Sequence, residues 1–413
     1  MKEKKSIIFL LIGALVIVAF IIIGFVDFPN KGDNTESSQT EGVTNTEEDT
    51  SGDTETEMEN IKEITLEEFF GDNVTDNEVL GDRFYSSALS WEIATTVQDK
   101  LYTRFGNMLY SCDLQGEQLS LVEKAQIPLN YRPFYDAVTE TFYFVCRDIF
   151  TLEIYRMLED GTIELAFEIE ETSIHQSDPI IIEGGKCYYF TREGGFVLKA
   201  VDLMHPERKV EIYRWKEAVY GEFPYVESLQ VDNRYIVVEF EMTSNYSGVS
   251  VYDKKDLKMI IDSDESMDMP CYSNGKLYYL NRENQQISVI EFDESAESKE
   301  FIYLAKVGSK FEMLLDNDYL YVRNYDYEEE ECFIDIYTLE RELVDTITLK
   351  DNADALDREM YSNPHVSRVL YTTENYVFIG EYSIPAPRGV FYFRKDKIGT
   401  EELTIYTLYL PKE

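Results

Sequence analysis

Residues 274–279 read Asn274-Gly275-Lys276-Leu277-Tyr278-Tyr279, a two-residue turn feeding a run of apolar and aromatic side chains. Asn-Gly supplies the positive backbone angles of a tight hairpin turn, and Leu-Tyr-Tyr suits a pleated, buried strand. The same plan recurs along the chain. It stands at Gln98-Asp99-Lys100-Leu101-Tyr102, at Thr139-Glu140-Thr141-Phe142-Tyr143-Phe144 and at Gly184-Gly185-Lys186-Cys187-Tyr188-Tyr189. It returns at Asp232-Asn233-Arg234-Tyr235-Ile236, at Asp316-Asn317-Asp318-Tyr319-Leu320-Tyr321 and at Thr373-Glu374-Asn375-Tyr376-Val377-Phe378.

The strand after each turn begins at 101, 142, 187, 235, 277, 319 and 376, giving intervals of 41, 45, 48, 42, 42 and 57 residues. A repeat of about 40–50 residues without helical periodicity is the length of one four-stranded propeller blade. The fifth unit parses as strands at 268–273, 276–282, 286–292 and 299–306, the sixth as 311–315, 319–324, 332–339 and 343–349. One such blade cannot bury both of its faces, so neighbours must stack, and closing the ring leaves only short outer edges. The expected fold is therefore an all-β, seven-bladed β-propeller over residues 89–413. Six or eight blades are the alternatives, because the lead-in 61–88 could add or remove a strand.

Within that lead-in, Thr65-Leu66-Glu67-Glu68 has the form of a helix N-cap with acids in the first turn, and Phe69 and Phe70 supply an apolar face. A short helical or irregular segment follows from this. Arg83–Ala88 pairing with a last strand at 403–410 is the other way to close the ring.

The stretches 274–279 and Leu152-Glu153-Ile154-Tyr155-Arg156-Met157-Leu158-Glu159-Asp160-Gly161 resemble the YWTD-like and related propellers of membrane-anchored Firmicutes proteins. Strict YWTD tetrapeptides are absent. The resemblance implies an extracytoplasmic binding or scaffolding role and carries no catalytic residues over.

The N-terminus fits that placement. Ile7 to Val26 is an uncharged run of twenty residues, about 30 Å as a helix and so the depth of a bilayer core. Lys2, Lys4 and Lys5 precede it and Asp27 follows, which keeps the tip cytoplasmic and sends the rest of the chain outward. A cleaved signal peptide would have a shorter apolar run and end in small residues, whereas Phe25 and Val26 close this one. Residues 1–26 therefore read as a cytoplasmic tip and transmembrane signal anchor. Residues 27–60, with eleven acids against Lys31 alone, read as a disordered acidic linker.

The whole chain of 413 residues carries 80 Asp and Glu against 38 Lys and Arg, a formal charge of −42. Such a chain repels polyanions, which excludes general nucleic-acid binding. With residues 1–26 at +2 and 27–60 at −10, the remainder holds −34, so the acidity belongs mostly to the ring.

Motifs for chemistry are sparse. His175, His205 and His365 lie beside turns and show no zinc-protease spacing, and no Gly-x-Ser-x-Gly elbow or phosphate loop occurs. Cys112, Cys146, Cys187, Cys271 and Cys332 are scattered and read as buried small side chains, although Cys146 and Cys187 on adjacent blades could bridge. Asp262, Asp264 and Asp268 alternate as oxygen ligands of a calcium loop do, but Met267 stands where an EF-hand needs glycine. Calcium is the one cofactor this suggests. The stretch Tyr325, Asp326, Tyr327, Glu328, Glu329, Glu330 and Glu331 would sit at an exposed hairpin tip and could receive a basic partner.

The expected function is a membrane-anchored module that binds a protein or small ligand at the cell surface, with selective, cationic or calcium-dependent partners. The alternative is an enzyme with a carboxylate pair acting on glycans or wall polymers at the propeller channel.

Overall fold

The computed structural model describes residues 64–71, 94–97, 99–105, 107–116, 119–127, 132–147, 151–170, 178–192, 195–215, 225–243, 246–263, 267–273, 275–292, 298–304, 312–326, 331–348, 368–380 and 390–408. All belong to the unit Asn60–Glu413. Their strands form seven antiparallel sheets of four, and within each sheet the spatial order follows the chain. First strands touch between the first and second, second and third, third and fourth, fifth and sixth, and sixth and seventh sheets, which makes them the innermost strands of their blades. Residues 94–126 make the first blade, 132–170 the second, 181–215 the third, 225–263 the fourth, 268–303 the fifth, 312–348 the sixth and 368–408 the seventh. The seven-bladed reading holds.

Unbroken apolar runs such as Leu277-Tyr278-Tyr279-Leu280 follow from burial on both faces. Leu277 and Tyr279 pack toward Tyr235, Val237 and Val249 of the fourth blade. Tyr278 and Leu280 turn the other way, toward Met313, Leu315 and Leu320 of the sixth. The same alternation places one apolar cluster at each of the seven blade junctions. At roughly 1.5–3 kcal/mol for each large side chain buried, these junctions are what hold the ring together.

Aspartates shape the turns. Asp232 Oδ1 accepts from the Arg234 and Tyr235 amides, and Asp316 Oδ1 from those of Asp318 and Tyr319. Asp113, Asp160, Asp202 and Asp253 accept in the same way from amides two or three residues on. A side-chain oxygen here replaces a backbone partner that the bend removes. Gly184 and Gly185, at φ +62° and +75°, provide the consecutive positive angles that a two-residue turn needs.

The ring closes without exchanging a strand among the described residues. The seventh sheet ends on its own Tyr406–Leu408, and Arg83–Ala88, the alternative partner for the last strand, lie outside the described residues. Tyrosine hydroxyls do the joining: Tyr371 to Thr96, Tyr376 to the Gly116 carbonyl and Tyr392 to the Leu119 amide.

Helix α1 (Leu66–Phe70) begins at Thr65 with the expected capping box, Thr65 Oγ1 accepting from the Glu68 amide while Glu68 accepts from the Thr65 amide. Phe69 and Phe70 are buried in the cluster between the third and fourth blades. The apolar run Ile7–Val26 and residues 27–60 lie outside the described residues, within which no helix is long and apolar enough to cross a membrane.

Candidate functional site at the channel end of the inner strands

Charged side chains gather where the inner strands begin. In the third blade Arg192, just past the second strand, pairs with Asp178 at 2.8 Å, three residues before the inner strand Ile181–Glu183. In the fifth, Arg282 pairs with Asp268, the first residue of the inner strand Asp268–Ser273. The sixth places Arg323 3.5 Å from Glu312, which opens its inner strand Glu312–Leu315. Each pair spans the first hairpin of its blade, and Asp178 and Arg323 are almost wholly withdrawn from solvent. Buried carboxylate and guanidinium offset each other here, and removing either would strand the other.

The fourth blade departs from this scheme. Glu239, on its second strand Tyr235–Thr243, is 1% exposed. Ser228 donates to Oε2 and the Met269 amide to Oε1, both at 3.0 Å. Burial, with Glu227 and Asp268 adding repulsion, pushes the Glu239 carboxyl up to about 8, so at neutral pH it is largely a neutral acid.

Met269 earns its place in this arrangement. Its φ is +52°, a conformation that a side chain with a Cβ rarely adopts, within a register shift between Asp268 and Cys271. Pro270 brings no amide to the ladder, and its carbonyl accepts instead from Gln230 at 2.8 Å. Gln230 accepts in turn from the Tyr272 amide. Two polar side chains of the fourth blade, Glu239 and Gln230, thus hold a strained stretch of the fifth. Cys271 continues the connection by donating to the Met313 carbonyl of the sixth blade, and burial raises its thiol.

Of the residues expected to carry function, those described fall on different blades. Asp262 lies near the end of the fourth blade's outermost strand, exposed, where Ser250 donates to it at 2.8 Å and Tyr213 at 3.3 Å. Asp268 sits on the innermost strand of the fifth blade with Arg282, and Asp264 is outside the described residues. Among the described residues no three His, Cys, Asp or Glu side chains group as a metal site. Tyr325 and Asp326 end the second strand of the sixth blade, with Asp326 opposite Glu331 in register, while Tyr327, Glu328, Glu329 and Glu330 lie outside the described residues. Cys112, Cys146, Cys187 and Cys271 are thiols. His205 is exposed beside Glu207, and His175 and His365 are outside the described residues.

Glu239 and the arginine pairs are what sequence reasoning missed. One signal was available: in the third and fifth blades the acid precedes its arginine by the same 14 residues.

No family model matches this chain, and no curated protein does. Solved structures show the fold. A prolyl endopeptidase, from a study of two such enzymes and their inter-domain dynamics, matches at TM-score 0.54 and 12% identity over 80% of this chain and 51% of its own. The chain thus spans about half the length of that structure. The GH74 xyloglucanase from Xanthomonas campestris matches at 0.50 and 11% over 79% of this chain and 55% of its own. The β-propeller domain of the Trilobed protease from Pyrococcus furiosus matches at 0.44 and 11% over 80% and 99%. At such identities the likeness reaches the propeller fold and stops there.

Proposed function

We propose that this propeller is a binding or scaffold module, anchored through Ile7–Val26 and held outside the cell on residues 27–60, that takes a protein or small ligand at the cell surface. The observation that supports it is the rim of fixed arginines in a chain of net charge −42. Arg192, Arg282 and Arg323 are each oriented by a carboxylate, and the Arg282 side chain remains 43% exposed. A guanidinium has five N–H donors and one carboxylate engages at most two in a forked pair, so the partly exposed Arg282 can also address a ligand.

Crosslinking the full-length protein in its native membrane, followed by mass spectrometry, tests this reading. A defined partner whose capture falls at least tenfold in an Arg282→Ala variant supports it. Capture that is unaffected by Arg282→Ala sinks the rim as the contact. The calcium proposal for Asp262, Asp264 and Asp268 is checked by calorimetry with calcium chloride, in which absence of heat at millimolar ion rejects it.

Glu239 favours a second reading. Burial raises its carboxyl in the direction a general acid in glycoside cleavage requires, and at 1% exposure it would serve only where substrate displaces the side chains that cover it. Release of reducing ends from wall polymers by the wild type, lost in Glu239→Gln, would establish that reading, and no release by the wild type would end it.

A further inference from the structure

The cluster between the third and fourth blades contains a segment that belongs to neither. Phe69 and Phe70 of α1 are 3% and 7% exposed, packed with Tyr188, Val210, Tyr252 and their neighbours, while Ile64 and Leu66 flank them. Each phenyl ring meets an ammonium: Lys186 Nζ stands 5.0 Å from the Phe69 centroid and Lys254 Nζ 5.8 Å from that of Phe70. Both distances lie within cation–π range. Arg208 donates to the Glu68 carbonyl at 3.0 Å, so the blade also grips the helix backbone. A recess with two cations over two aromatic rings and a guanidinium on a carbonyl is the contact set of a peptide site.

Two further groups point to a ligand. Lys254 is 6% exposed; its ammonium donates to the Asp232 carbonyl, faces the rings of Phe70 and Tyr188, and lies in the field of the Asp232 and Glu183 carboxylates. One acceptor for three donors leaves the ammonium short of acceptors. Tyr252, 3% exposed in the same cluster, has a hydroxyl with no hydrogen-bond partner among the described residues. A buried hydroxyl left without a partner is destabilising. Helix α1 thus fills the recess with apolar surface beside a basic wall of Lys186, Lys254 and Arg208, which suits an acidic segment such as Glu67-Glu68-Phe69-Phe70.

We infer that the recess between the third and fourth blades is a binding site for an acidic peptide bearing adjacent phenylalanines, which the chain occupies with its own residues 64–71. Twenty-two residues, 72–93, separate that segment from the first strand. Joined covalently to the ring, the segment acts as a ligand attached to its own receptor. A peptide from another chain binds by displacing it. The site stands apart from the arginine rim and does not depend on that reading.

The test uses the full chain and a fluorescein-labelled peptide of residues 60–71. In a Phe69→Ala/Phe70→Ala protein the recess is vacated, and the peptide is expected to bind with a dissociation constant below 100 μM, roughly tenfold or more tighter than to the wild type. Lack of binding to the folded variant overturns the inference, as does equal binding of a control peptide with both phenylalanines replaced by alanine. Should the variant not fold, amide exchange in the unmodified chain reads the same question. An excess of unlabelled peptide is expected to speed exchange at residues 66–71 at least threefold while the phenylalanine-free control does not, and identical exchange with both overturns it.

Discussion

The Tyr371 hydroxyl lies 2.7 Å from Thr96 Oγ1 and 3.1 Å from the Thr96 amide, joining the last blade to the first across 275 residues of chain. In a ring that shares no strand among its described residues, side chains must seal this junction. Leu101, Cys112, Tyr376, Phe378 and Tyr392 supply its apolar part. Tyr371→Phe keeps that surface and removes the hydroxyl, so it is expected to lower unfolding free energy by about 1–2 kcal/mol in urea titration. A change below a few tenths would show that apolar contact alone closes the ring.

Asp316 and Asp318 offer a matched pair at one turn. Asp316 is 2% exposed, accepts from two amides and from Tyr321, and holds Lys395 of the seventh blade at 2.6 Å. Asp318, 62% exposed, stands 3.9 Å from the same ammonium. Asp316→Asn leaves Lys395 buried beside a neutral amide and is expected to cost about 3–5 kcal/mol, whereas Asp318→Asn costs under about 1 kcal/mol. Comparable costs in denaturant titrations would refute the ranking.

Glu239 links stability to pH. An ordinary glutamate ionises near 4.5, and this one is pushed up to about 8 in the folded chain. Below pH 4.5 both states hold the proton and nothing is lost. Between about 4.5 and 8 the unfolded chain releases its proton first, so stability falls as pH rises, by a few kcal/mol before levelling off. Glu239→Gln cannot ionise, and its urea midpoint relative to wild type is expected to rise from pH 5 to pH 8. Parallel midpoints across that window would exclude the effect.

Gly248 faces Phe240 across the second and third strands of the fourth blade. A Cβ there would lie 2.6 Å from the Phe240 ring and 2.7 Å from the Ser263 carbonyl oxygen, and the backbone atom cannot swing aside. Gly248→Ala is expected to destabilise by about 2–4 kcal/mol through overpacking. A melting temperature within 1 °C of wild type would contradict this.

Blade boundaries were legible because turn chemistry is local. The inner strand expected at 268–273 is observed as Asp268–Ser273, and the strands expected at 286–292 and 343–349 are observed as Gln286–Glu291 and Leu343–Thr348. Helix α1 announced itself through Thr65 and Glu68, two partners only three residues apart. Glu239 stayed hidden for the opposite reason. Within Val237-Val238-Glu239-Phe240 it resembles an outward-facing residue of an alternating strand. Its burial depends on Met269, 30 residues away, entering a conformation that no residue type announces.

The turn aspartates likewise looked like surface charge. Asp136 is wholly buried and receives the Thr139 amide and the Gly185 amide of the next blade. Part of the acidity is thus architecture, spent on bends, and only the rest faces solvent as a field that a partner would meet.

Because each sheet takes its four strands from one continuous stretch, a chain leaving the ribosome can finish one blade before the next has been made. None of the described sheets waits for a distant end of the polypeptide, so their strand pairing stays local and early. What must wait is the meeting of Thr96 with Tyr371. Until then the growing array has the character of an open string of beads, its two end faces apolar and exposed, and the last blade acts as the clasp.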